Sequence, residues 1–389
     1  MWSFSTFVPV VLVVASVASA SSVVSMPLKR LTGTGSHLNG GRTRAAFLKS
    51  YASGDRLTIP SSNLEYVQYT TSVGVGTPPT YYNLVVDTGS AVTFVGTGKK
   101  YARTSSSVSI GQKINVTYGT GYFKGDEYND TVTLAPQLVI TQQSIGDALE
   151  YADFPDVDGI IGFGPVDLTR RSLPAHPDAM VPTVMDNAID QNLLKNKILG
   201  VSFAPATSLN DTNGSLTYGG VDDALYTGEI LYTPVTETYP AAGYWGVNVS
   251  GVMYGSHSVI SQSTAGIVDT GTSLILIADD LFAVYMAAIP GAYIDDNKTG
   301  LIVIPASSVA GMQLLKFKFG EAGFGMDASS QLIPQDQNSE WGGETGVQYG
   351  VVGNLGSNSG EGLDFILGQK FMESFYAVFD ADENRVGFG

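Results

Sequence analysis

The chain has 389 residues, 36 of them acidic and 20 basic, with a formal net charge of −16 and no cysteine. That length exceeds one ordinary hydrophobic core and predicts two domains. With 46 glycines, only 14% charged residues, and frequent Thr, Val, Ser and Tyr, it reads as an all-β protein with many turns. Without cysteine there is no disulfide framework, thiolate nucleophile or thiolate metal site. Three histidines, no H-E-x-x-H and no G-x-S-x-G argue against a zinc hydrolase and a Ser-His-Asp hydrolase. The charge is unevenly spread. Six basic residues and one acid lie in the first 56 residues, so the remainder carries 14 basic and 35 acidic residues, a formal −21. Such a body disfavours nucleic acid and anionic membranes and suits work in acid, where carboxylates are neutralised.

Residues 1–20 predict a secretory signal peptide, with an apolar stretch from Phe7 to Val14 and a small-residue cleavage site at Ala18-Ser19-Ala20. The run is too short for a membrane anchor and contains Pro9, although no Lys or Arg opens it. Residues 21–56 are basic and rich in Ser and Gly, which fits a disordered tail or a detachable segment. From Tyr66 to Val75 the pattern predicts a strand, then a turn at Gly76-Thr77-Pro78-Pro79-Thr80, then a strand from Tyr81 to Val86.

That strand runs into Val85-Val86-Asp87-Thr88-Gly89-Ser90, and the pattern returns as Ile267-Val268-Asp269-Thr270-Gly271-Thr272. In each copy a buried strand ends in a carboxylate and a tight, hydroxyl-rich turn. A carboxylate there needs donors, which Ser90, Thr272 and backbone N–H groups can supply. Gly89 lets the chain turn closely around it. Two such loops face to face would bring the carboxylates close enough to share one proton, giving one acid and one base around a water.

Further on, Val116-Thr117-Tyr118-Gly119-Thr120-Gly121-Tyr122 reads as a hairpin with an exposed tip. Asp158-Gly159-Ile160-Ile161-Gly162-Phe163-Gly164 is echoed by Phe365-Ile366-Leu367-Gly368, so two motifs recur in the same order. Val181, Val184, Met185, Ala188 and Ile189 keep helical spacing. Residues 202–235 read as strands and turns, with a boundary between halves near Thr233, and Tyr376 to Gly389 reads as a closing hairpin. Glycosylation sequons stand at Asn115, Asn129, Asn210, Asn213, Asn248 and Asn297, of which a subset is expected to be used.

From about residue 57 to the end the chain resembles the pepsin-like aspartic proteases, on the strength of the two Asp-Thr-Gly loops, the Tyr-Gly-Thr-Gly hairpin and the paired apolar-apolar-Gly segments. The absence of cysteine resembles fungal members. The resemblance implies a mostly β, bilobal double β-barrel with a cleft between an N-terminal lobe, 57–233, and a C-terminal lobe, 234–389. It implies Asp87 and Asp269 as the catalytic pair, with Thr88, Gly89, Ser90, Thr270, Gly271 and Thr272 supporting their loops. Tyr118, Gly119 and Thr120 match the flap over the substrate, and Tyr244, beside Trp245, matches a tyrosine lining the cleft. It implies a secreted zymogen whose propeptide spans 21–56. Met26-Pro27-Leu28-Lys29-Arg30 resembles the basic opening of such segments, and Lys49 before Tyr51 matches a lysine that reaches the catalytic carboxylates. Protein or peptide substrates and statine-type inhibitors are the expected partners, with a monomer, no metal and no cofactor. Two departures stand out. Phe94 replaces a usual tryptophan whose N–H bonds the flap tyrosine, and Gln369 follows the second glycine where an Asp is common, a change expected to matter little. The rival readings are a catalytically dead pepsin fold that binds another protein, which the retention of Asp87, Asp269 and Tyr118 argues against, and a two-carboxylate glycosidase, which needs no twin Asp-Thr-Gly turns.

Overall fold

Twin β-strand systems carry the chain, seen here in a computed structural model that describes residues 23–32, 37–53, 67–119, 121–204 and 214–389. The predicted signal peptide, Thr120, Asn210 and Asn213 lie outside the described residues.

The architecture is bilobal and mostly β. In the N-terminal half, strands β1 (Val24–Thr32), β2 (Val67–Val75), β3 (Thr80–Asp87), β4 (Phe94–Val95), β5 (Val108–Thr117), β6 (Tyr122–Ala135), β7 (Leu138–Ala152), β8 (Gly159–Gly162), β9 (Ile198–Ser202) and β10 (Gly214–Tyr218) join one extended sheet. The predicted hairpin before Asp87 is β2–β3, paired from Thr70 with Val85 to Val75 with Thr80.

The repeat in the sequence becomes a repeat in topology. β3 lies parallel to β8, which places Asp87 beside Gly162, and β8 runs antiparallel to β4. In the C-terminal half the strand Thr264–Val268 lies parallel to Phe365–Leu367, which runs antiparallel to Ile275–Ile277. Each apolar-apolar-Gly strand thus lies between the strand that delivers an Asp and the strand that leaves its loop. Val85, Val86, Ile267 and Val268 are all buried, as strands covered on both faces must be.

The predicted helix forms over Val184–Asp190 (α2), seven residues long, with Thr183 and Asp186 making a reciprocal capping box. A longer helix was not anticipated: α1, His37–Ser53, follows β1 in the basic N-terminal segment. β1 is no loose tail either. Its first half pairs with β10 and its second with β2, and Val24, Met26, Leu28 and Arg30 alternate inward. α1 buries Leu38, Gly41, Ala45 and Leu48, one stripe at helical spacing. Gly40 and Gly41 each weaken the isolated helix by about 1 kcal/mol relative to Ala, so its order rests on what it packs against. None of the described helices is long and apolar enough to cross a membrane.

Candidate active site

The two Asp-Thr-Gly turns meet at the centre of the molecule, and each is first held by itself. The Gly89 N–H donates to Asp87 Oδ1 at 3.0 Å and the Ser90 hydroxyl to Oδ2 at 2.6 Å. The Gly271 N–H and the Thr272 hydroxyl repeat these bonds on Asp269 at 3.0 and 2.6 Å. The threonines then tie loop to loop. Thr88 N–H donates to Thr270 Oγ1 at 2.9 Å and Thr270 N–H to Thr88 Oγ1 at 3.0 Å, while the Thr270 and Thr88 hydroxyls reach the carbonyls of Val86 and Val268. Glycine is required at the third position for space. A Cβ on Gly89 would lie 2.6 Å from Asp269 Oδ1, and one on Gly271 would lie 2.6 Å from Asp87 Oδ1.

Between the carboxylates lies Arg44 of α1. Its Nη2 donates to Asp87 Oδ1 at 2.5 Å and to Asp269 Oδ1 at 2.9 Å, and its Nε donates to Asp269 Oδ2 at 2.6 Å. The planar guanidinium fork suits this geometry as an ammonium would not. The expectation that Lys49 reaches the carboxylates is therefore corrected. Lys49 instead donates to Ser357 Oγ and Glu361 Oε2 on the cleft rim at 2.5 and 2.7 Å. Five helical residues turn about 140° beyond a full circle, so Arg44 and Lys49 cannot both point at one spot. The sequence signal was the basic segment itself; the resemblance singled out Lys49, and nothing in the residues pointed to Arg44 instead.

Burial is the largest influence on both carboxyls and favours their neutral forms. On Asp269 the charge and hydrogen bonds of Arg44, with Thr272 and Gly271, outweigh burial and hold the carboxyl below its usual range. On Asp87 burial, aided by the neighbouring Asp269 charge, prevails and lifts the carboxyl above it.

The hairpin of β5 and β6 folds over this centre. Its tip, expected to be exposed, is buried: Tyr118 is 4% exposed, and a Cβ on Gly119 would lie 2.4 Å from Arg44 Cα. α1 is what covers it. Among the described residues the Tyr118 hydroxyl makes no well-formed hydrogen bond, although the Ser90 hydroxyl acts on it, and burial pushes it well above its ordinary range. Phe94, with no donor to offer, lies 5.8 Å from the Tyr118 ring and stacks on Phe123 at 4.0 Å. Phe154 meets Phe94 and Tyr118 edge-on and completes an aromatic wall that the sequence reading missed.

On the far side the Tyr244 hydroxyl donates to the Leu48 carbonyl of α1 at 2.9 Å, and Trp245 Nε1 to the Phe163 carbonyl at 2.9 Å. Trp245 thus packs in the core and also joins the C-terminal half to the segment after β8. Gln369 holds the second loop from behind, with its amide donating to the Thr270 carbonyl at 2.9 Å. A cavity of about 790 Å³ remains between α1 and the rim formed by Asp279, Asn354, Ser357 and Glu361. A second cavity, of about 330 Å³, lies beside Tyr51, Leu168 and Tyr239. Among the described residues no group of His, Asp or Glu side chains could hold a metal ion.

The family described as eukaryotic aspartyl protease matches residues 68–389. Polyporopepsin of Irpex lacteus is 48% identical over 330 residues, covering 85% of this chain and 96% of that protein. Gastricsin of Cavia porcellus is 29% identical over 340 residues, covering 82% of this chain and 79% of that protein. The crystal structure of the aspartic proteinase from Irpex lacteus superposes with a TM-score of 0.81 at 43% identity, covering 94% of this chain and 97% of the other.

Proposed function

Since the chain belongs to the eukaryotic aspartyl proteases and is a pepsin-like aspartic endopeptidase, we propose that it is made as a secreted zymogen in which Asp87 and Asp269 activate a water and Arg44 blocks them until acid releases it. The observation that carries this reading is the guanidinium bonded to both carboxylates.

In the open enzyme one proton is shared by the pair. Water between the carboxyls attacks the peptide carbonyl carbon and gives its proton to the ionised carboxylate. The protonated carboxyl hydrogen-bonds the carbonyl oxygen as charge develops there. The tetrahedral intermediate then breaks its C–N bond as the leaving nitrogen takes the proton that the carboxylate had accepted from water, and the pair regains its starting state. Which Asp holds the proton in the free dyad is a property of the pair. Thr88, Gly89, Ser90, Thr270, Gly271 and Thr272 hold the loops, while Tyr118, Gly119, Thr120, Phe94 and Tyr244 contact the substrate.

Residues 1–20 serve as signal peptide and 21–56 as propeptide, with lobes 57–233 and 234–389 remaining as a monomer. The basic segment is matched to its body: Arg44 takes the dyad, Lys49 takes Glu361, and Arg42 donates to Asn354. The Asp269 carboxyl, held low by Arg44, contributes docking energy that is present above the usual carboxylate range and lost as pH falls through its lowered value. An acid protein-digestion assay with and without a statine-type inhibitor tests the reading. Acid-dependent cleavage that the inhibitor stops is expected; cleavage indifferent to it would overturn the dyad.

A further inference from the structure

The N-terminal segment has a second buried polar contact, far along α1 from the carboxylates. His37 opens the helix, is 3% exposed, and lies with its ring 4.3 Å from that of Trp341 in the short helix Gln335–Trp341. Its Nε2 lies 2.9 Å from the Glu340 carbonyl. A carbonyl only accepts, so Nε2 carries the ring proton and Nδ1 is left as the basic atom. Nδ1 is buried and has no hydrogen-bond partner among the described residues.

The surroundings are hostile to a second proton. From β1, Arg30 is 2% exposed, and from the segment Gln369–Met372, Lys370 is buried with its Nζ 5.6 Å from the Trp341 ring on which His37 packs; both cations oppose a positive charge on His37. Lys370 is paired with Glu373 at 2.7 Å, so that carboxylate is already committed. Arg30 is 3.4 Å from both Glu340 Oε2 and Gln337 Oε1, and Asp336 faces Glu340 rather than His37. Glu340 is itself held above the usual carboxylate range by burial, so in acid it is neutral before it could balance a charged imidazole. Unpartnered polar atoms gather at this contact: among the described residues His37 Nδ1, Arg30 Nε, Glu340 Oε2, Trp341 Nε1 and Asn338 Oδ1 are all buried without a hydrogen-bond partner.

We propose that His37 is a proton-operated release for the N-terminal segment: a proton on Nδ1 turns a neutral packing contact into a buried cation whose Nδ1 has no acceptor among the described residues. The proposal rests on the reading of this segment as a removable inhibitor, and it adds a trigger outside the carboxylates that the segment blocks. Burial, then Arg30 and Lys370, against the Glu340 carbonyl, bring His37 from 6.5 down to about 4. The released segment takes up the proton at the ordinary value, so the docking contribution of neutral His37 is full above pH 6.5. It is lost progressively as pH falls from there to about 4. The whole shift corresponds to roughly 300-fold in the docking equilibrium.

The test is a pH jump on the full-length chain with stopped-flow tryptophan fluorescence, because Trp341, buried against His37, is uncovered when the segment leaves. His37→Gln keeps a donor for the Glu340 carbonyl and cannot take the proton. Release of this variant is expected to move to lower pH and to be weaker than wild type by roughly 80-fold at pH 4.5. His37→Asn serves as a second neutral variant and is expected to shift the same way. Coincident pH profiles for wild type and variants would overturn the proposal. So would release of both variants at pH 7, which would mean that the ring only packs. A wild-type chain that releases its segment but cleaves no peptide would strike the protease reading and leave the fluorescence result standing.

Discussion

In each Asp-Thr-Gly loop the glycine N–H lies 3.0 Å from its own carboxylate, the following hydroxyl 2.6 Å away, and the threonine reaches across to its twin. Arg44 breaks that symmetry, giving Asp269 two hydrogen bonds and Asp87 one, and the two carboxyls are displaced in opposite directions. Equal sequence therefore gives equal local geometry, while the charge state of the pair is set by whatever occupies the cleft. With the segment gone, the loops should again be near equivalents sharing one proton.

The largest expected effect removes either half of the comparison. Asp87→Asn and Asp269→Asn should each lower kcat by about 10³-fold or more, since acid and base roles are both lost, with circular dichroism unchanged. Unequal losses would show that the loops are not interchangeable in the open enzyme. Next comes Arg44→Ala, which leaves two buried carboxylates without their cation. Breaking a buried pair costs about 3–5 kcal/mol, so the pH of segment release, read by mass spectrometry of the processed chain, should move toward neutrality. An unchanged midpoint would mean that the Arg44 contact does not govern latency.

A smaller effect is expected at the flap, on the Asp87 side alone. The Tyr118 hydroxyl, with no well-formed hydrogen bond among the described residues, lacks a bond worth about 0.5–1.5 kcal/mol, so Phe94→Trp should tighten a statine-type inhibitor by up to roughly tenfold. Tyr118→Phe should erase that gain. No coupling between the two positions in inhibition constants would dismiss the idea. The smallest effect belongs to Lys49→Ala. Its partner Glu361 is 55% exposed, and such pairs contribute about 0–1 kcal/mol, so the release midpoint should hardly move.

What was legible in the sequence follows from the range of the forces involved. Asp87 and Asp269 with their glycines and hydroxyls are short-range patterns written out twice, and the hairpin of β2 and β3 is a short-range pattern written once; all are readable as such. The exposed tip foreseen for the flap was a fair reading of Tyr118 and Gly119 alone, and it failed because α1 lies over them. α1 itself was hidden by Gly40 and Gly41, which local propensity counts against a helix, while close packing of Gly41 on Leu276 works the other way. Arg44 and Lys49 looked alike as cations, and only partners far along the chain, Asp269 and Glu361, tell them apart. Gln369 looked inert for the same reason, although its amide braces the second loop.

The most direct test follows the mass of the chain and the cleavage of a peptide substrate together after a shift from pH 7 to pH 4, in wild type and in Asp269→Asn. The account predicts that wild type is inert at pH 7, then loses its N-terminal segment in acid and cuts the peptide. Because the exposed dyad is expected to cut its own N-terminal segment away, the folded variant should keep that segment covalently attached and cut nothing. A folded Asp269→Asn chain that sheds the segment and cleaves peptide at a substantial fraction of the wild-type rate would contradict the central claim.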